Sequence, residues 1–215
     1  VTPEKRHGLP GLFVAFEGGD GAGKSTQASL LCEFLGAAGI PVIRTREPGG
    51  TPVGEKLRSL VLEHGQGEID ARTEALLFAA SRAAHVAQVI LPALARGAVV
   101  VCDRYVDSSV AYQGAGRELG AQAVLDVNLW AVAGLRPDLT VLLDVEPAEG
   151  RNRRTALNAT EDRMEAEPDP FHERIRTQFL QLAERSADRY LVLPADEERD
   201  QLGGQILDAV LERLS

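Results

Sequence analysis

At 215 residues, with a net charge of −9, 44% hydrophobic and 26% charged residues, the chain has the make-up of a folded globular protein and excludes a disordered one. Its acidic balance speaks against a nucleic-acid polymer as partner, because such surfaces are basic, so any anion site must be a local positive island. The two cysteines, Cys32 and Cys102, lie 70 positions apart with no CxxC pair or histidine cluster at metal spacing. They read as reduced core thiols of a cytosolic protein.

In chain order, residues 1–10 (VTPEKRHGLP) read as a frayed, disordered polar leader without the apolar run of a signal peptide. No 18-residue apolar segment is expected anywhere, so no membrane is expected and the location is read as cytoplasmic. LFVAFE, residues 12–17, reads as a continuous apolar strand of the kind buried on both faces of a parallel sheet. Leu30, Leu31, Phe34 and Leu35 recur at helical spacing through residues 24–38, and Gly39 is the stop. PVIRT (41–45) predicts a short strand, followed by the punctuation REPGGTP.

Helices are predicted over about residues 53–63 and 70–95, and GAVVVCD (97–103) predicts a β-branched strand ending in an aspartate. A helix over 120–133, a strand at DLTVLLDV (138–145) and a helix from Pro147 carrying RNRR follow. The polar NATEDRMEAEPDP breaks the pattern before a helix at about 171–187, and YLVLPA and residues 197–214 give a last strand and helix. Strands separated by helices of about ten residues or more imply right-handed crossovers and a parallel sheet. The expectation is one three-layer α/β domain over residues 11–215. Ligands of such sheets bind beyond the carboxyl ends of the strands.

GGDGAGKS (18–25) lies at one such end and matches GxxxxGK[ST] between a predicted strand and a predicted helix. In that setting the loop of Gly18, Gly19, Asp20, Gly21, Ala22 and Gly23, with Lys24, Ser25 and Thr26 at the helix start, cradles the phosphates of a nucleoside triphosphate such as ATP. Lys24 reaches the outer phosphates and Ser25 ligates Mg²⁺. Asp103 ends its strand where a carboxylate is presented to Mg²⁺ or its waters; a solvent-facing cap is the plainer alternative. Arg104 beside it makes a pair suited to a cation and an anion together. Arg151 and Arg154 share a helix face while Arg153 points elsewhere. Alone this run reads also as a solvated face. In so acidic a chain it is equally the cation cluster that two phosphate-bearing substrates need, worth roughly 10³- to 10⁵-fold in rate when an arginine meets the transferring group. The polar stretch suits a lid at about 151–168.

TREPGGTP (45–52), ALLFAASRAAH (75–85), DRYVDSSVAYQGAGR (103–117), RPDLTVLLDV (136–145) and the DRME after the arginines together resemble the thymidylate kinase family, in the family's order and over nearly the whole chain. The resemblance implies a three-layer P-loop nucleoside-monophosphate-kinase-like fold with a five-stranded parallel sheet. It also implies Mg²⁺-assisted phosphoryl transfer from ATP to dTMP, giving dTDP, and a homodimer. Phe78 and Arg82 are four apart and share a helix face. Read alone, Phe78 is a core residue; the resemblance implies that it stacks on thymine while Arg82 donates to the exocyclic carbonyl.

By the same resemblance, Ser109 and Gln113 contact the polar edge of the base and Tyr112 crowds the position of a ribonucleotide 2′-hydroxyl. Asp20 holds the sugar 3′-hydroxyl, and Arg58 and Arg104 hold the monophosphate, although Arg58 alone reads as a surface arginine. A cis peptide at Glu47-Pro48 shapes the acceptor pocket. Some family members carry an arginine in the phosphate loop where this chain has Gly21, which shifts the expected catalytic charge to Arg151, Arg153 and Arg154 beside Lys24 and Arg104. Ala79, Ala80, Ala83, Ala84 and Ala87 permit close helix contact between subunits or within one. A kinase of another acceptor is the nearest alternative; a guanine-specific switch lacks support because the chain has no NKxD.

Overall fold

A computed structural model describes residues 7–156 and 161–214. Five strands, β1 (Leu12–Glu17), β2 (Val42–Arg46), β3 (Val99–Asp103), β4 (Leu139–Asp144) and β5 (Tyr190–Pro194), form one sheet in the order β2-β3-β1-β4-β5. All four pairings are parallel. Around it lie α1 (Lys24–Ala37), α2 (Pro52–Leu62), α3 (Ala71–His85), α4 (Leu91–Ala95), α5 (Val106–Ser109), α6 (Ala121–Ala131), α7 (Pro147–Ala156), α8 (Asp169–Arg185) and α9 (Arg199–Leu214).

The two-residue period of β1 divides the core. Leu12, Val14 and Phe16 pack with Leu31 and Leu35 of α1 and Ile206 and Val210 of α9, whereas Phe13 and Ala15 pack with Ile90 and Leu94 on the other face. Every position of β1 is therefore buried, which is why its sequence does not alternate. Each such large apolar side chain contributes about 1.5–3 kcal/mol by leaving water. A third cluster, with Tyr112, Phe171, Ile175 and Phe179, ties α8 to the segment after β3.

The helix predicted over residues 70–95 is divided. Between α3 and α4, Val86–Ile90 forms a π-type turn in which the Leu91 amide reaches the Val86 carbonyl. Pro92 supplies the reason: its ring lacks an amide hydrogen and collides with the carbonyl four residues back, and a widened turn relieves both. Contrary to the sequence expectation, an 18-residue window of the Ala71–Ala95 run reaches a mean hydropathy of 1.4, apolar and long enough to cross a membrane. Its inward face buries Glu74, Arg82 and His85 against protein partners, as the core-facing side of a domain helix does. A second π-type stretch, Val110–Gly116, follows α5. Of the expected leader, residues 1–6 lie outside the described residues; His7 Nε2 sits 2.8 Å from Asp138 and Leu9 packs on the core. Residues 157–160 of the expected lid also lie outside them.

Candidate active site

The phosphate loop leaves β1 where Phe16 pairs with Asp103 of β3. α1 starts on Gly23, with φ 89° and no side-chain cap, so the first-turn amides are left for an anion at the positive end of the helix. Lys24 is buried, and its Nζ donates to the Gly18 and Gly19 carbonyls at 3.0 and 2.7 Å. Burial pushes its pKa down to about 8, the neighbouring Arg104 adding to the fall against Asp20 and Asp103. Ser25 Oγ donates to Asp103 Oδ2 at 2.5 Å, bringing two hard oxygen donors together at the mouth of the loop. Gly18 and Ala22 lie deeper, Gly18 against the Leu143 carbonyl and Ala22 in the apolar cluster.

From the loop a cavity of about 370 Å³ runs towards α3. Asp20, Gly21, Gly23, Lys24, Ser25 and Thr26 border one end; Phe78, Arg82, Ser109, Tyr112 and Gln113 border the other, with Glu47, Pro48, Arg58, Asp103 and Arg104 between. The Glu47-Pro48 peptide is cis. Arg58 Nη1 donates to the Pro48 carbonyl at 3.0 Å, which aims it along the wall. Arg104, at φ 68°, donates to Ser108 Oγ at 3.0 Å, to Tyr112 Oη at 3.0 Å and to Asp20 Oδ1, while Tyr112 Oη donates to Asp20 Oδ2 at 2.7 Å. Burial opposes charge on both Asp20 and Arg104. Arg104 and Lys24 nevertheless hold the Asp20 carboxyl well below the usual range, and Asp20, Tyr112 and Asp103 carry Arg104 well above it.

Arg82 is 2% exposed and uses four of its five N–H donors within the protein: Nε donates to Glu47 at 2.5 Å, Nη1 to Ser109 Oγ at 2.9 Å and to Asn128 Oδ1, Nη2 to the Tyr105 carbonyl at 3.0 Å. Its guanidinium lies over the Tyr105 ring, 5.8 Å from the centroid. Glu47 also lies 2.8 Å from His85 Nδ1, whose Nε2 is 2.6 Å from Thr45 Oγ1. Glu47, His85 and Cys102 have donor atoms within 4.8 Å of one another, but the carboxylate and both ring nitrogens are already bonded within the protein. Glu47 and Thr45 are thereby tied to Arg82 and His85 of α3.

The arginines of α7 divide. Arg154 and Arg151 border a small cavity beside Gly19 and Asp20, and the Arg154 charge helps to hold the Asp20 carboxyl low. Arg151 pairs with Asp169 at 2.6 Å. Arg153 donates to Glu149 and to the Ala195 carbonyl, both at 2.9 Å, and borders neither of these two cavities. At about 100° per residue, Arg153 lies about 200° round the helix from Arg151 and about 100° from Arg154.

The family model described as Thymidylate kinase matches residues 16–206. The chain belongs to the thymidylate kinase family. It is 52% identical to a thymidylate kinase from Cutibacterium acnes over 94% of this chain and 97% of that protein. It is 53% identical to one from Clavibacter sepedonicus over 92% and 93%, and 47% identical to one from Pelotomaculum thermopropionicum over 96% and 95%. The parallel five-stranded sheet with helices on both faces is the P-loop nucleoside-monophosphate-kinase-like α/β fold of this family.

Several residues of this thymidylate kinase-family site went unnoticed in the sequence. Asn128 falls on the buried stripe of α6 between Val124 and Val132, and a polar residue in an apolar stripe was the available signal. Glu74 stands where acidic residues are common, in a helix first turn, yet it is fully buried. Arg46, Asp162, Met164 and Glu165 also border the cavity. The last three close its roof from the DRME segment, and nothing local marks a residue that acts by folding back over a distant pocket.

Proposed function

We propose that the chain transfers the terminal phosphoryl group of ATP to dTMP, giving dTDP and ADP. The observation that carries this reading is the one continuous cavity joining an uncapped phosphate loop to a pocket with an aromatic face at Phe78 and a guanidinium edge at Arg82. A planar base takes both, stacking on the ring and accepting from the arginine. Ser109 and Gln113 meet the remaining polar edge. Tyr112, held by Asp20 and Arg104, occupies the wall where a 2′-hydroxyl would intrude, and Asp20 receives the 3′-hydroxyl.

An acceptor phosphate is already an anion, so the transfer asks for alignment and charge neutralisation more than for a base. Arg58 and Arg104 hold the acceptor phosphate, and Lys24 exchanges its two carbonyl partners for the outer phosphates of ATP. Arg154 and Arg151 bring lid charge to the transferring group, with Arg153 outside it. Ser25 and Asp103 fit Mg²⁺, which favours hard oxygen ligands. The ion supplies neutralisation of the donor phosphates when bound.

The chain acts as a cytoplasmic homodimer in this reading. Support for the dimer is an apolar strip on neighbouring helices: Leu76 and Trp130 are 59% and 86% exposed, and Ala80 and Ala87 extend the strip along the same helical run. The deciding experiment compares dTMP, dUMP, dCMP and thymidine as acceptors with ATP and Mg²⁺, following ADP release. dTMP is expected to lead; turnover of thymidine equal to or better than dTMP, or no transfer to dTMP, overturns the reading.

A further inference from the structure

We propose that Glu74 is a positioning residue that sets which way round Gln113 presents its carboxamide to the base, and so decides that the pocket takes a pyrimidine with a hydrogen-bond donor at that edge. The inference rests on the thymine-pocket reading given above.

Glu74 sits in the first turn of α3, whose N-terminus is capped by Asp70 accepting the Arg72 and Thr73 amides at 2.9 and 3.1 Å. Its side chain is fully buried and is met from three directions. Gln113 Nε2 donates to Oε1 at 3.0 Å. Arg117, at the end of the π-type stretch, donates through Nε and Nη2, both at 3.2 Å. Arg163, from the DRME segment, donates through Nη2 to Oε2 at 2.5 Å. Arg163 is itself fixed, with Nε on the Val61 carbonyl and its amide on the Leu62 carbonyl, each at 3.0 Å.

The consequence follows from donor and acceptor counting. Guanidinium groups only donate, so a residue held between Arg117 and Arg163 must accept. A carboxylate accepts on both oxygens, which obliges Gln113 to turn its NH₂ towards Glu74. The other end of the carboxamide, Oε1, is then what Gln113 offers to the cavity it borders. An acceptor there matches the N3–H of thymine or uracil and is repelled by the N3 lone pair of cytosine. Gln113 alone would be indifferent, since a free carboxamide can flip. The same carboxylate grips Arg163, so the orientation of Gln113 and the docking of the segment that roofs the cavity depend on one residue.

Glu74→Gln is the informative change. Its carbonyl oxygen goes to the arginines, its NH₂ is left facing Gln113, and Gln113 turns over to present a donor to the base. Glu74→Asp keeps the charge but is one methylene short of spanning Gln113 and Arg163. Turnover of dTMP and dCMP is measured for both variants and the wild type, with circular dichroism to establish folding. The dTMP to dCMP ratio of kcat/KM is expected to shrink at least tenfold, chiefly through KM for dTMP, in whichever variant folds. Arg163→Leu leaves the Glu74 to Gln113 bond in place and is expected to keep the ratio while raising KM.

A folded Glu74 variant that loses both acceptors by the same factor, or keeps the wild-type ratio, overturns the proposal, as does loss of the ratio in Arg163→Leu. In the unmodified protein the Gln113 carboxamide protons are expected to exchange slowly with water before any nucleotide is added; rapid exchange also overturns it. A wild type that fails to phosphorylate dTMP sinks the functional reading itself instead.

Discussion

Gly21 of the phosphate loop and Gly150 of α7 touch backbone to backbone. A Cβ on Gly21 would stand 2.3 Å from the Gly150 carbonyl oxygen, and one on Gly150 would stand 2.3 Å from the carbonyl oxygen of Asp20. This contact brings the helix carrying Arg151 and Arg154 down onto the phosphate loop. It also leaves no room for a side chain at this position of the loop: Gly21 adopts φ 82°, and any Cβ would strike α7.

Gly150→Ala is therefore expected to separate stability from activity. Alanine favours a helix interior over glycine by about 1 kcal/mol, which offsets part of the cost of a Cβ driven against the backbone carbonyl of Asp20, so the melting temperature should fall only modestly. Displacing α7 by even about 1 Å should lower kcat on the order of 100-fold, with little change in dTMP affinity. Steady-state kinetics, calorimetry and a thermal melt on one preparation check all three. An unchanged kcat would show that α7 need not approach the loop this closely.

Arg82 and Phe78 border the same pocket but should fail differently. Arg82→Ala removes the guanidinium from Glu47 Oε2 and Asn128 Oδ1, leaving Glu47 only His85, and is expected to cost about 3–5 kcal/mol of stability as well as dTMP binding. Phe78→Leu keeps most of the buried volume and removes only the flat face. It is expected to weaken dTMP roughly tenfold, with a stability cost of about 1 kcal/mol. Denaturant titration beside dTMP calorimetry separates the two. Equal stability losses would mean that Arg82 is not the keystone its bonds indicate.

The sequence carried the sheet because β1, β3 and β4 are covered on both faces, and continuous apolar runs bounded by glycine or charge have few other uses. The phosphate loop was legible for the same local reason, since its function lies in consecutive residues. What stayed hidden depends on distance along the chain. Glu74 and Arg163 meet across 89 positions and Arg82 and Asn128 across 46, and no spacing rule links such pairs. The π-type turn before Pro92 was hidden too, because apolar periodicity continues through it.

Lys24 gives a pH signature. With burial holding its pKa at about 8, the free protein loses this charge as the medium rises through pH 8, while the negative phosphates of a bound triphosphate favour keeping it. ATP affinity should be flat below about pH 7 and weaken by up to about tenfold per unit above 8. Calorimetry at pH 8.5 in two buffers of different ionisation enthalpy should show net proton uptake on ATP binding. Zero uptake would mean that the ammonium is already fully charged in the free loop.

Trp130 offers a test of assembly. Replacing an 86% exposed indole with a charged side chain removes nothing from the monomer core. Trp130→Glu together with Leu76→Glu is expected to leave the melting of the separated chain unaltered and to halve the mass seen by sedimentation. A wild type that sediments as a monomer removes the dimer from the functional reading.

Glu17 closes β1 directly beneath the phosphate loop, and its carboxyl is wholly buried. Oε1 accepts the Tyr105 and Ser108 amides at 2.8 and 3.1 Å, and Oε2 accepts the Ser108 hydroxyl at 2.5 Å. Burial first, then the nearby charge of Asp107, pushes its pKa up to about 7, against Ser108 and Arg104, which favour the ionised form. The folded chain thus keeps a proton between about pH 4.5 and 7 that the unfolded chain releases, so this contribution is fully present below pH 4.5 and lost as the pH rises through 7. At about 1.4 kcal/mol per unit the loss is on the order of 3 kcal/mol. Glu17→Gln can keep the two amide bonds through its oxygen and meet Ser108 Oγ through its NH₂, but it has nothing to titrate. Urea unfolding at pH 5 and pH 8 should therefore show the wild type losing about 3 kcal/mol more than the variant between the two conditions. Parallel losses in the two proteins would mean that Glu17 ionises in the folded state as readily as in the unfolded one.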